Sequence, residues 1–340
     1  MTSTPDATLA NAFLGNSLIQ VGLPISLFIL MIGVGLTLKL RDFHNVVYYP
    51  RVLILGTLAQ IVLLPAMGFA LAWALKLPPA LAVGLVIVAA CPGGTTSNVF
   101  AFLGRGNLAL SILMTASASL ITVLTLPLFA NWAITLFTDQ TLEQPLQLPI
   151  SQTIVMLLAI VFVPVMLGMA LRGWKPQLAG KLEGAVSAFG MLVLFALVIL
   201  IVYQTRDQLV ELLVQTGPSV IALNVLGIAT GFGIARLAGH DFADGLTLAM
   251  ELGIKNSTIG LTVTLTLLGS ADIAMPSALY GLLMFFSAGA LVALGRRRAR
   301  VSIRPRRGEV PPHIPDDVGF PDDHDQATAS RKHGQNRSSS

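Results

Sequence analysis

The sequence predicts an all-α polytopic membrane protein with nine transmembrane helices. Three observations lead there. The 340-residue chain is 54% hydrophobic and 11% charged, with a mean hydropathy of +0.77. A soluble domain carries roughly a quarter charged residues, so most of this chain is not built to be solvated. The apolar residues also fall in runs of about 20, the length that crosses a hydrocarbon core as helix. Finally, Lys and Arg crowd into alternate connections between those runs, as they do in a chain that threads back and forth through a membrane.

In chain order, the first run (19–38) follows a polar segment, MTSTPDATLANAFLGNS, that lacks the basic start of a signal peptide. It is therefore read as retained. The second (52–75) starts after Arg51 and stops at Lys76. The third (80–103) begins beyond Leu77-Pro78-Pro79 and ends at Gly104-Arg105. The fourth (108–129) precedes the polar loop TDQTLEQPLQLP, and the fifth (153–171) stops at Arg172. The sixth (185–203) and seventh (219–237) flank Arg206, and the eighth (246–268) follows His240 and Asp241. The ninth (276–294) ends at Arg296-Arg297-Arg298. Residues 19–295 thus form one transmembrane body between an N-terminal tail (1–18) and a C-terminal tail (296–340).

One set of connections holds Lys39, Arg41 and Arg51; Arg105; Arg172, Lys175 and Lys181; Arg236; and the arginines of 296–300. The alternate set holds only Lys76 and Arg206. The basic set is expected in the cytoplasm. That puts the N-terminus outside and the C-terminus inside, as nine spans require. The excess positive charge lies in residues 296–340, whose Pro-rich, aromatic-poor sequence predicts disorder. The arginine run reads as a stop-transfer anchor at anionic lipid. A high pI with no basic face interleaved with aromatics gives no reason to expect nucleic acid. The single cysteine, Cys91, excludes an internal disulfide framework and reads as a packing residue. His44 and His240 have no metal-ligand spacing around them.

Two runs are interrupted. The third meets Pro92-Gly93-Gly94-Thr95-Thr96-Ser97-Asn98, and the eighth meets Gly253-Ile254-Lys255-Asn256-Ser257-Thr258. Proline removes a helix donor and clashes with the preceding turn, and glycine frees the backbone. Breaks are expected near 92–97 and 253–257. One such break could be an ordinary kink. Two, one in each half and both rich in Ser, Thr and Asn, point to a transporter's binding site. Unwound backbone is tolerated in a membrane only where protein or a wet cavity satisfies it. Freed carbonyls suit a cation, and half-helix N-termini near Ser97 and Ser257 suit an anion. Glu251, deep in a span, is by default a functional residue.

The stretches GVGLTLKLRDF (33–43), CPGGTTSNVFAFLGRGNLALS (91–111) and ELGIKNSTIGL (251–261) resemble the bile acid:sodium symporter family over nearly the whole membrane body. The resemblance implies two inverted repeats, here of four and five helices, with the first helix of the first repeat missing. It also implies a panel and a core domain, with the two broken helices crossing in the core. Alternating access in a bacterial cytoplasmic membrane is expected. The family's first sodium site maps onto Ser97, Asn98, Ser111, Thr115 and Glu251. Its second uses the same glutamate, backbone carbonyls and two glutamines. One glutamine matches Gln60, and the other position holds Lys255.

An ammonium has three donors and no acceptor, so Lys255 cannot ligate sodium. It is expected to stand in for the second ion, leaving one sodium. Two plainer roles compete: neutralising Glu251 as an i,i+4 pair, or snorkelling to the interface. The function expected is a sodium-coupled symporter of an organic anion, a carboxylate, with Thr95, Thr96, Asn256 and Ser257 contacting it. The alternative is proton coupling through Glu251 or Lys255. An enzyme would need a nucleophile–base pair or a metal cluster, and neither is recognisable. A receptor would need a signalling domain, which the polar tail does not resemble.

Overall fold

The computed structural model describes residues 17–38, 50–138, 149–204 and 209–302. The N-terminal tail, most of the 138–149 loop, Lys39, Arg41, His44, Arg206 and the chain beyond 302 lie outside these residues. All regular structure among them is helical. The helices are α1 (Ser17–Thr37), α2 (Pro50–Ala74), α3 (Pro79–Ala90), α4 (Thr95–Leu103), α5 (Leu108–Phe137) and α6 (Ile150–Trp174). They continue with α7 (Pro176–Gln204), α8 (Leu209–Leu237), α9 (Phe242–Gly253), α10 (Ser257–Thr262, extended by a π turn at Val263–Leu267) and α11 (Ala271–Ser302). Contacts divide the chain into residues 1–298 and 299–340. The first unit holds α1 to α10 and α11 as far as Arg298.

Each expected run falls on helix, but several ends differ. α5 continues to Phe137 rather than 129, and α8 begins at Leu209 rather than 219. Both extensions carry polar residues that lowered the apolar signal but do not prevent helix. α11 runs through the arginine cluster to Ser302, well past 294. Arginine is a good helix former, so nothing local stops it. Among the described residues, five helices, α2, α5, α6, α8 and α11, are long and apolar enough to cross a membrane. Much of the surface is apolar, with Trp73, Leu237 and Phe286 more than three-quarters exposed.

Two π turns, Ala59–Leu63 in α2 and Leu158–Phe162 in α6, lie just before Pro65 and Pro164. A widened turn accommodates a ring that would otherwise clash four residues back. Gln60 sits in the first. Small residues let helices approach backbone to backbone. A Cβ on Gly35 of α1 would lie 2.1 Å from Val165 O of α6. On Gly231 of α8 it would lie 2.3 Å from Ala249 N of α9. At one end of the bundle, Arg296 Nε donates to Leu103 O at the end of α4 (2.8 Å), and Asn107 Nδ2 donates to Asp244 Oδ1 (2.8 Å). The far side of Asp244 meets His240 Nδ1 at 2.7 Å.

Candidate functional site

Both expected breaks exist, and both are shorter than the sequence suggests. The first spans Cys91–Gly94, with Thr95 already opening α4; the second spans Ile254–Asn256, with Ser257 opening α10. The half-helix expected to start near Ser97 therefore starts at Thr95. Pro92 and the two glycines stop α3, whereas Thr, Ser and Asn are tolerated once helical hydrogen bonding resumes. The second break has no proline. Asn256 ends it by capping α10, its Oδ1 accepting from Ile259 N at 3.3 Å.

The breaks meet. Asn256 N donates to Pro92 O at 2.8 Å, and the Asn256 side chain lies against Gly94. Glu251, two residues before α9 ends, faces the start of α4. Ser97 Oγ and Ser111 Oγ donate to its Oε1 at 2.7 and 2.5 Å, and Thr115 Oγ1 donates to Oε2 at 2.9 Å. Ser111 and Thr115 share one face of α5, as four-residue spacing dictates. Asn98 Oδ1 lies 2.7 Å from Ser111 Oγ and 3.2 Å from Thr115 Oγ1. All five residues are buried, and Gly93 packs so tightly that a Cβ there would lie 2.5 Å from Glu251 Oε2.

This cluster is rich in oxygen and short of protons. A hydroxyl has one proton, yet Ser97 faces both Glu251 and Gly94 O (2.6 Å), and Ser111 and Thr115 each face both Glu251 and Asn98. Asn98 Nδ2 has no partner. Rotating that amide would satisfy Nδ2 and leave the shortage at Ser97. Among the described residues, no Lys or Arg nitrogen comes within 4.0 Å of the carboxylate. Hard cations take oxygen ligands, and this donor set fits one.

Lys255 is buried, 1% exposed, so it does not snorkel. It does not form a helical i,i+4 pair with Glu251 either, because α9 ends at Gly253 between them. Its Nζ instead donates to Ala89 O and Cys91 O, both at 3.1 Å, at the carbonyl end of α3. Gln60 Nε2 donates to the same Cys91 O at 2.8 Å, while Gln60 Oε1 has no partner. The carbonyl end of a helix is negative, and an ammonium and an amide converge on it.

Of the residues expected at the substrate, Thr95 is the first residue of α4, Thr96 is partly exposed, Asn256 caps α10, and Ser257 Oγ is buried without a partner. The sequence reading missed Asn224 and Tyr280, whose side chains reach Gly253 O at the end of α9, each at 2.8 Å. An asparagine inside an apolar run was a signal for the first. Nothing local marked the second.

A family model described as the sodium bile acid symporter family matches residues 24–212. An uncharacterised sodium-dependent transporter of Bacillus subtilis (strain 168), YocS, is 34% identical over 256 residues, 75% of this chain and 77% of that protein. The probable chloroplastic sodium/metabolite cotransporter BASS1 of Arabidopsis thaliana is 29% identical, over 81% of this chain and 67% of its own. The ileal sodium/bile acid cotransporter of Oryctolagus cuniculus is 30% identical, over 71% and 68%. With this match over more than half its length, the chain belongs to the sodium bile acid symporter family, a family of integral membrane transporters rather than enzymes.

Proposed function

We propose that the protein is a secondary symporter that couples one sodium ion to an organic anion, a carboxylate. The observation that carries this is the buried Glu251 carboxylate, ringed by three hydroxyls and an amide and lacking a cationic side chain in contact. Ser97, Asn98, Ser111, Thr115 and Glu251 would hold the ion, which supplies the positive charge that the oxygen cluster lacks. The second cation position is filled by the protein itself: Lys255 puts its ammonium at the α3 carbonyls beside Gln60. Sodium use in the named relatives supports the ion's identity.

The anion would bind where the breaks meet, at Thr95, Thr96, Asn256 and Ser257, close to the positive ends of α4 and α10. Nine spans arranged as repeats of four and five helices, with a core moving against a panel, complete the reading. Its support is that α2 and α8, each preceding a broken helix, both donate a side-chain amide to that helix's carbonyl end. The basic connections would be cytoplasmic, in a bacterial inner membrane. A second reading, proton coupling, is favoured by the burial of two titratable groups at one break.

The test is thermal unfolding of the purified full chain against a carboxylate library, in sodium chloride and in choline chloride. A ligand that binds the folded state raises its apparent stability. Sodium alone should stabilise the protein, and carboxylates should add to that only when sodium is present. Stabilisation by carboxylates that is indifferent to sodium but follows pH would replace sodium with proton coupling.

A further inference from the structure

Gly253 ends α9 midway between Glu251 and Lys255, and its carbonyl is held by two buried donors from two other helices. Asn224 Nδ2 of α8 and Tyr280 Oη of α11 each donate at 2.8 Å, and lie 3.4 Å from one another. Tyr280 is fully buried and Asn224 is 3% exposed. α8 reaches this point because Gly227 and Gly231 let it lie directly on α9; a Cβ on Gly227 would be 2.7 Å from Leu252 O. In an uninterrupted helix the Gly253 carbonyl would accept from the amide four residues on, Ser257 N. That amide instead donates to Lys255 O at 2.9 Å. The two side chains therefore take the place of a backbone donor whose return would close the break. A closed helix would bring Lys255 round to one turn beyond Glu251, away from Ala89 and Cys91.

We propose that Asn224 and Tyr280 are positioning residues for the cation site. By holding Gly253 O they fix where α9 stops, and so aim Glu251 at Ser97, Ser111 and Thr115. This rests on the reading of Glu251 as a sodium ligand. A merely structural pair would change stability alone. A positioning pair also changes the sodium concentration at which the site fills.

The experiment uses the purified full chain and sodium itself as the probe. The unfolding midpoint is titrated with sodium chloride against choline chloride at constant ionic strength, for wild type, Y280F, N224L and E251Q. Y280F removes one hydroxyl and little volume, so it decides the matter even if N224L does not fold. Each of the two should raise the half-saturating sodium concentration roughly fivefold, the effect of one ordinary hydrogen bond, and E251Q should abolish the sodium response. If Y280F and N224L lower the midpoint in choline but leave half-saturation unchanged while E251Q abolishes the response, the positioning role is wrong and the sodium reading stands. If E251Q responds to sodium like wild type, or wild type does not respond, both fall.

Discussion

The break after α3 and the break after α9 leave the same difficulty, a half-helix ending inside the protein with its last carbonyls unpaired, and meet it with different chemistry. At the first, an ammonium and an amide converge on Ala89 O and Cys91 O. At the second, a phenol and an amide converge on Gly253 O. The amide comes in both cases from the helix just before the broken one, Gln60 from α2 and Asn224 from α8. The other donor differs in charge. At the second break both donors to the helix-end carbonyl are neutral. The first presents carbonyls to a positive charge, as a cation site does, and the charge is covalently attached. Unwound backbone in a membrane protein can thus be satisfied by neutral donors or by a buried ammonium.

The largest effect expected is at the carboxylate between the breaks. Glu251→Gln should abolish sodium-dependent stabilisation while the chain still inserts and folds, measured by sodium titration of the unfolding midpoint. A normal sodium response would remove the cation from the comparison altogether.

Next comes Lys255. Lys255→Ala leaves two buried carbonyls without their ammonium donor and should cost about 3 kcal/mol of stability, read by unfolding in choline. Lys255→Gln restores a neutral ligand beside Gln60 and should admit a second sodium. Its Hill coefficient should rise above one where wild type shows one. Cooperative sodium dependence already present in wild type, and unchanged in Lys255→Gln, would show that the ammonium does not fill the second position.

Gly93→Ala forces a methyl to within 2.5 Å of Glu251 Oε2. The carboxylate must move, and sodium half-saturation should rise about tenfold, of the order expected when a charge-assisted contact is lost. Ser97→Ala, Asn98→Ala, Ser111→Ala and Thr115→Ala should each raise it roughly fivefold. Four unchanged titrations would dismantle this ligand set.

The smallest effect is predicted for Cys91→Ala. Only the Cys91 carbonyl receives the donors, so removing the buried sulfur should cost about 1 kcal/mol of packing and leave sodium dependence as in wild type. A shifted sodium titration would mean that the thiol, and not the backbone, matters at the first break.

Much of this was legible in the sequence because it depends on local properties. Hydropathy and charge determine that the chain is helical and membrane-embedded. Pro92, Gly93 and Gly94 stop a helix wherever they fall, and Ser111 and Thr115 share a face because helical geometry puts them there. The oxygen-bearing residues around Glu251 and the departure at Lys255 were visible as residue types in a motif. Tertiary structure alone decided which carbonyl each donor reaches. Lys255 bonds to Ala89 and Cys91, 166 and 164 residues away, rather than to Glu251 four residues away. Tyr280 looks like any aromatic in an apolar run until α11 packs it onto the end of α9. The physical reason is range. Helix formation and membrane partition are settled by neighbours within a few residues, whereas a buried donor takes whichever acceptor the packing of distant helices brings within about 3 Å.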